Sequence, residues 1–211
     1  MVGNTVSQRG RFITIEGIEG VGKSTNVGFV SSELRRVGHV VVVTREPGGT
    51  SLGERIRALL LGPETRIAPL TELLLMFAAR AAHLDEVIRP ALSSGKWVVC
   101  DRFTDASHAY QGGGRGLPAH TIDALAAVVQ GELRPDLTLL LDAPLDVSAA
   151  RQAGRGQPDR FEQESVEFFQ RVRQAYLDLA ARDTARIRLI DASRPLAAVQ
   201  ADIRLALRSL V

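Results

Sequence analysis

A single cysteine, Cys100, stands in the 211 residues. No internal disulfide can form, which suits a reducing cytosol and predicts a cytoplasmic protein. Aromatic residues make up only 5% of the chain, and 26 Lys and Arg face 24 Asp and Glu. So few rings and so balanced a charge argue against a nucleic-acid partner. No apolar stretch is long enough to cross a membrane. The opening segment, Met1 to Gly10, lacks the apolar core of a signal peptide and predicts a flexible tail. His39, His83, His108 and His120 are scattered, without metal-site spacing. Linkers, repeats and low-complexity tracts are missing, so residues 11–211 are expected to form one domain.

Hydrophobic residues make up 45% of the chain, enough for a sizeable core. The most informative stretch runs from Phe12 to Thr25. Phe12 to Ile15 predicts a buried strand. It leads into Gly17-x-x-x-x-Gly22-Lys23-Ser24, the pattern of a phosphate-cradling P-loop. Glycines let successive backbone N–H groups turn inward toward phosphate oxygens. A helix starting near Lys23 adds its positive dipole end. Lys23 is placed to reach the β- and γ-phosphates of ATP, and the Ser24 hydroxyl to hold Mg2+. The bland alternative is a glycine-rich turn capping an ordinary helix.

Strand and helix patterns then alternate. Ser24 to Val37 reads as a helix ended by Gly38, and His39 to Thr44 as a buried strand. Arg45-Glu46-Pro47-Gly48-Gly49-Thr50 is a tight loop at that strand's C-terminal end, where ligands gather in open α/β sheets. Leu52 to Leu61 and Pro69 to Leu92 read as helices, the second with an Ala-rich face that suits either core or a subunit contact. Lys96 to Cys100 is a strand ending in Asp101-Arg102. A helical stretch to Tyr110 precedes an expected flexible loop, Gly112 to Gly116. Ala119 to Gln130 and Leu145 to Gln152 are helices around a strand at Leu137 to Leu141. Glu162 to Asp183, Arg186 to Ile190 and Pro195 to Leu210 complete the chain as helix, strand and helix. The expected fold is α/β: a three-layer P-loop kinase fold, with a five-stranded parallel sheet, helices on both faces and a mobile lid.

Asp101 after an apolar strand suits an acid near Mg2+, or equally an N-cap. Arg102 suits bidentate phosphate binding. Arg151, Arg155 and Arg160, spread among Gly154, Gly156 and Pro158, read either as a solvated loop or as a lid at about 151–160 that brings positive charge to a transferring phosphoryl group. Tyr110 and Gln111 face substrate on one reading, while Tyr110 is core on another. Cys100 reads as a buried strand residue.

Five elements in this order resemble bacterial thymidylate kinases, P-loop nucleoside monophosphate kinases that phosphorylate dTMP with ATP. They are Glu16 to Thr25, Thr44 to Thr50, Asp101-Arg102-Phe103, Ala109 to Gly116, and Asp159 to Glu164. The resemblance implies ATP contacts from Gly17, Ile18, Glu19, Gly20, Val21, Gly22, Lys23, Ser24 and Thr25. It implies Mg2+ held by Ser24, Glu19 and Asp101, and catalytic roles for Lys23, Asp101, Arg102, Arg151, Arg155 and Arg160. It further implies a dTMP pocket of Glu19, Arg45, Glu46, Pro47, Arg57, Arg80, Arg102, Ser107, Tyr110 and Gln111. Arg80 would meet the thymine edge and Tyr110 would stand against a ribose 2′-hydroxyl. Family members with glycine at the Gly20 position draw catalytic arginines from the lid. A homodimer is also implied. One departure stands out: where the family carries a base-stacking phenylalanine one turn before the thymine-binding arginine, this chain has Met76, with Phe77 one place later. Successive helix positions differ by about 100°, so only one of them can face the base. Competing functions are a kinase for another nucleoside monophosphate and a nucleotide-switch P-loop NTPase.

Overall fold

The computed structural model describes residues 9–63, 66–153 and 159–210. The first strand, β1 (Phe12–Glu16), is buried along its whole length and takes the middle of the sheet. After it come α1 (Lys23–Arg36), β2 (Val41–Arg45), α2 (Ser51–Leu61), α3 (Pro69–His83), a π-helical turn (Leu84–Ile88), α4 (Arg89–Ser93) and β3 (Trp97–Asp101). The chain continues through α5 (Thr104–Ser107), a second π-helical stretch (His108–Gly114), α6 (Ala119–Val129), β4 (Leu137–Asp142), α7 (Leu145–Gln152), α8 (Val166–Arg182), β5 (Ile187–Asp191) and α9 (Leu196–Leu207). The sheet is parallel, in the order β2-β3-β1-β4-β5.

Adjacent residues of β1 point to opposite faces. Ile13 and Ile15 pack with Val27, Val30 and Leu34 of α1. Phe12 packs on the other side with Leu84, Ile88, Leu92, Val98, Cys100 and Phe103. Full burial of each such side chain stabilises by about 1.5–3 kcal/mol. Cys100 is fully buried, as its place in an apolar strand predicts. Register pairs Ile15 with Asp101 and Asp101 with Arg45. One sheet edge therefore gathers the P-loop, the Arg45-Glu46 loop and Asp101-Arg102.

Four expectations are corrected. The 39–44 run is not a fully buried strand: β2 begins at Val41 and lies at the sheet edge, with Val43 44% exposed. β-branched content marks a strand but does not tell an edge from a centre. The 69–92 helix is interrupted, because Pro90 has no N–H to give and its ring crowds the preceding turn; the extra residue of the π turn before it absorbs the mismatch. The ambiguous face of this helix divides: Leu73, Phe77 and Ala79 are core, while Leu70 and Leu74 are about half exposed. Most of the glycine run is not a loop but the end of the second π-helical stretch. A Cβ at Gly113 would lie 2.6 Å from the Ala175 Cβ, and one at Gly114 would lie 2.5 Å from the Phe168 ring. These glycines let α8 approach rather than let the chain bend. Finally, α8 starts at Val166 and not at Glu162. The Ser165 Oγ accepts from the Phe168 N–H, while the Asp159 carboxylate takes the N–H groups of Phe161 and Glu162 into a separate turn.

Candidate active site

The P-loop joins β1 to α1. Helix α1 begins with no side-chain cap and no acid in its first turn, so its leading N–H groups are unclaimed by side chains and suited to an anion. The Lys23 ammonium donates to the carbonyls of Gly17 (3.0 Å) and Ile18 (2.8 Å). Burial, with the nearby Arg102 charge, pushes its pKa down to about 8. The side chains of Ile18 and Val21 turn into the core, leaving only their backbone for a ligand. Gly20 has φ +78, and a Cβ there would sit 2.3 Å from the Ser148 carbonyl of α7. A basic residue at this position has no room unless α7 moves. Gly20→Ala is therefore expected to cost about 2 kcal/mol or more, from the positive φ and the collision together. Thermal unfolding should show a melting temperature lower by about 4–8 °C.

Facing the P-loop is a cavity of about 280 Å³. Glu19, Gly20, Gly22, Lys23, Ser24 and Thr25 line one end. Glu46, Pro47, Arg57, Met76, Arg80, Asp101, Arg102, Ser107, Tyr110 and Gln111 also line the cavity, with Asp159, Phe161 and Glu162 among the others. Most of the residues predicted for the site thus meet in one space. Between Met76 and Phe77 the geometry decides: Met76 lines the cavity, whereas Phe77 is buried with Leu73 and Ile122. Phe77 instead supports the site from beneath, with the Arg80 guanidinium 4.5 Å from its ring centroid.

Arg102 sits at the centre. Its φ is +70, a conformation costly for a side chain of this size. Its Nη2 donates to Glu19 (2.7 Å) and to the Tyr110 hydroxyl (3.0 Å), and Nη1 donates to the Tyr176 hydroxyl (3.2 Å). Tyr110 in turn donates to the other Glu19 oxygen (2.6 Å). Burial pushes the Glu19 carboxyl up, but Arg102, Lys23 and the Tyr110 bond together hold it below the usual carboxylate range. Burial likewise opposes the Arg102 charge, and Tyr110, Glu19, Tyr176 and Asp101 more than offset it, raising its pKa. The two-sided reading of Tyr110 resolves into both: it is buried, and it lines the cavity.

At the far end, Arg80 donates to Glu46 (2.7 Å) and Ser107 (3.1 Å). Its Nη1 is buried without a hydrogen-bond partner. Asp101 Oδ1 is also buried and unpartnered. That free oxygen, in a cavity that Ser24 also lines, fits a hard cation that keeps most of its ligands as water and phosphate. Glu19, predicted with them for the metal, has both oxygens engaged by Arg102 and Tyr110.

Other predicted residues lie elsewhere. Arg45 is exposed and pairs with Glu54 (2.9 Å), away from the main cavity. Arg151 donates to the Ala192 carbonyl (2.8 Å). Arg160 donates to the Leu60 carbonyl (2.8 Å) and pairs with Glu72 (2.7 Å). Arg155 and the core of the predicted lid, 154–158, lie outside the described residues, as do residues 1–8 of the predicted tail. Four residues with no assigned role prove to support the site. His83 bridges Glu46 (3.0 Å) and Thr44 (2.6 Å), and its place one turn after Arg80 on the same helix face was the signal that could have found it. Buried Glu72 accepts from Gln111 (2.9 Å) and pairs with Arg115 and Arg160. Glu16 and Tyr176 stand behind Arg102.

The family model described as thymidylate kinase matches residues 15–203. A thymidylate kinase from Alkalilimnicola ehrlichii is 62% identical over 96% of this chain and 94% of its own length. One from Methylococcus capsulatus is 59% identical over 96% and 97%. The crystal structure of thymidylate kinase from Ehrlichia chaffeensis superposes with a TM-score of 0.78 at 33% identity, covering 95% of this chain and 99% of that one. The chain belongs to the thymidylate kinase family. The parallel sheet and the P-loop at its edge are accordingly the P-loop kinase fold of that family. The Arg102–Glu19–Tyr110 cluster is what this member builds between its phosphate cradle and the rest of the cavity.

Proposed function

We propose that this chain is an ATP:dTMP phosphotransferase, making dTDP for dTTP synthesis. The observation that carries the substrate choice is the unpartnered, buried Arg80 Nη1 at the far end of a cavity whose near end is a P-loop. A guanidinium donor satisfies a base carbonyl such as thymine O4 and rejects the amino group that cytosine carries there. Met76 gives the base an apolar, polarisable wall. Arg57, Glu46, Pro47, Ser107 and Gln111 complete the pocket, and Tyr110 crowds a 2′-hydroxyl.

In the reaction, Arg102 holds the dTMP phosphate. Lys23 exchanges the Gly17 and Ile18 carbonyls for phosphate oxygens of ATP. An oxygen of the dTMP phosphate forms a bond to the γ-phosphorus, the bond from that phosphorus to the β–γ bridging oxygen breaks, and dTDP and ADP leave. A phosphate monoester is already nucleophilic at neutral pH, so no general base is needed; alignment and charge neutralisation do the work. Ser24 and Asp101 would hold Mg2+, which when bound supplies charge to the β- and γ-phosphate oxygens. Residues 11–211 act as one domain, with the segment 151–160 closing over ATP and bringing Arg151, Arg155 and Arg160 to the transferred group; Arg151 and Arg160 must first leave Ala192 and Glu72.

We also infer a homodimer. Helix α3 packs on α2 and on α6, and the three carry the exposed Leu52, Leu59, Leu70, Leu74 and Val128. Light scattering should give twice the 22.8 kDa chain mass. No helix among the described residues is long and apolar enough to cross a membrane, and a cytoplasmic location follows the nucleotide substrates. A coupled ADP-release assay with ATP, Mg2+ and dTMP, dUMP, dGMP or dCMP tests the function. Turnover should favour dTMP, with dCMP weaker by about 10²-fold or more. Preference for a purine overturns the assignment.

A further inference from the structure

We propose that Glu16 and Tyr176, which no part of the substrate cavity touches, are positioning residues that fix Arg102 for the acceptor phosphate. The proposal rests on the assignment of Arg102 to the dTMP phosphate. Glu16 ends β1 and is fully buried; Tyr176 comes from α8 and is 3% exposed. Neither lines the cavity.

Their bonds hold Arg102 at both ends. Glu16 Oε1 accepts from the Phe103 N–H at 2.7 Å, gripping the backbone directly after Arg102. Its Oε2 accepts from the Tyr176 hydroxyl at 2.8 Å, and that hydroxyl accepts from Arg102 Nη1 at 3.2 Å. One carboxyl thus secures the peptide that follows the strained residue and, through one phenol, the far end of its side chain. A φ of +70 persists only where the surroundings over-determine it. Here the Arg102 N–H donates to the Ile15 carbonyl (3.0 Å) and the next N–H goes to Glu16, so both peptides flanking the strained Cα are tied to β1. The other terminal nitrogen, Nη2, donates to Glu19 and Tyr110, which line the cavity. Burial, with Asp105, raises the Glu16 carboxyl to about 8, so donation runs Arg102 to Tyr176 to Glu16 above that pH, where Glu16 is ionised. A hydroxyl has one proton, so Tyr176 can accept from Arg102 and give to Glu16 only while Glu16 offers a lone pair.

This arrangement separates the two substrates. Loosening Arg102 should weaken dTMP and leave ATP, held by the P-loop backbone and Lys23, almost unaffected. Tyr176→Phe removes the relay while keeping the ring and the Phe103 bond. It should raise KM for dTMP about 3- to 10-fold, the loss of one hydrogen bond, with KM for ATP within about twofold. Glu16→Gln keeps an oxygen for the Phe103 N–H but presents an amide donor to Tyr176. Assayed above about pH 8, where Glu16 is ionised, it should reproduce the Tyr176→Phe effect, and the double variant should be no worse than either single variant, because both cut the same link. Calorimetric dTMP binding should weaken in step. Because Tyr176→Phe leaves a buried Glu16 oxygen without its donor, its melting temperature should also fall by a few degrees, and the dTMP-specific rise in KM is what separates positioning from stability.

Steady-state kinetics on wild type and these three variants decides the matter. A dTMP-specific, non-additive rise in KM supports the relay. Unchanged constants, equal rises for both substrates, or additive effects overturn it, as does a lowered melting temperature with unaltered KM values, which would make Glu16 and Tyr176 merely structural. A wild type that ignores dTMP overturns the assignment of function as well, whereas a wild type that uses dTMP while its variants match it overturns the relay alone.

Discussion

Lys23→Ala should lower turnover about 10²- to 10⁴-fold, the usual loss when one preorganised charge is removed from a transition state. That corresponds to about 2.7–5.5 kcal/mol of barrier. The reasoning starts from the resting structure. With no phosphate present, the ammonium is parked on two P-loop carbonyls, 3.0 and 2.8 Å away. These hydrogen bonds keep the side chain inside the cradle, so little reorganisation is needed when phosphate oxygens take their place. Burial and Arg102 push the lysine down to about pH 8. Below that pH the free protein carries the charge; above it the charge is lost, and ATP meets a neutral amine. ATP itself favours the charged form, so binding takes up a proton above pH 8. KM for ATP should therefore rise above about pH 8, approaching tenfold per pH unit, a trend Lys23→Ala should flatten. Single-turnover rates and an ATP titration at pH 7, 8 and 9 check both parts. Near-normal turnover in Lys23→Ala would remove the assigned role, and a pH-independent KM would remove the account of its charge.

The fold was legible because its signals are local. β1, the P-loop and α1 follow from apolar runs and glycine spacing, and their bounds fall within a residue or so of expectation. What failed depends on neighbours distant in sequence. Gly113 and Gly114 looked flexible until α8 supplied Ala175 and Phe168 against them. The exposure of Val43 depends on which strand ends the sheet, and no local pattern carries that. The site divides the same way. Lys23, Ser24, Asp101 and Arg102 sit in recognisable runs at strand ends. Glu16 was visible only as one letter of a motif, and Tyr176 lies 74 residues from the arginine it serves. Met76 against Phe77 was a question of helix phase, settled once α6 placed Ile122 beside Phe77. The lid arginines form a third case. Their spacing suggests shared work, yet Arg151 and Arg160 are bound to different parts of the structure. A shared role for them at the cavity would therefore require movement, which composition does not encode.

Arg102→Ala should lower kcat/KM for dTMP about 10²- to 10³-fold, combining loss of phosphate binding with loss of charge at the transferred group. Its effect on stability has a separate origin. Removing the guanidinium leaves Glu19 and the hydroxyls of Tyr110 and Tyr176 facing one another without their shared donor. Glu19 and Arg102 are only 18% and 15% exposed at their side chains, so leaving one Glu19 oxygen without its charged partner, with Tyr110 still on the other, should cost about 1–3 kcal/mol. Glu19→Gln in the Arg102→Ala background should return most of that stability by removing the buried charge that has lost its guanidinium, and should return none of the dTMP activity. Arg102→Lys isolates geometry from charge. A single ammonium on a flexible stem cannot reach Tyr176 on one side and Glu19 and Tyr110 on the other in the fork that the guanidinium supplies. It should therefore recover part of the melting temperature but remain well below wild type in kcat/KM for dTMP, with KM for ATP little changed. If Arg102→Lys instead restored full dTMP kinetics, a point charge alone would suffice, and the forked contacts made by Arg102 at its costly φ would have no catalytic consequence. Thermal unfolding and dTMP kinetics on the same three proteins separate what Arg102 does for the fold from what it does for the acceptor.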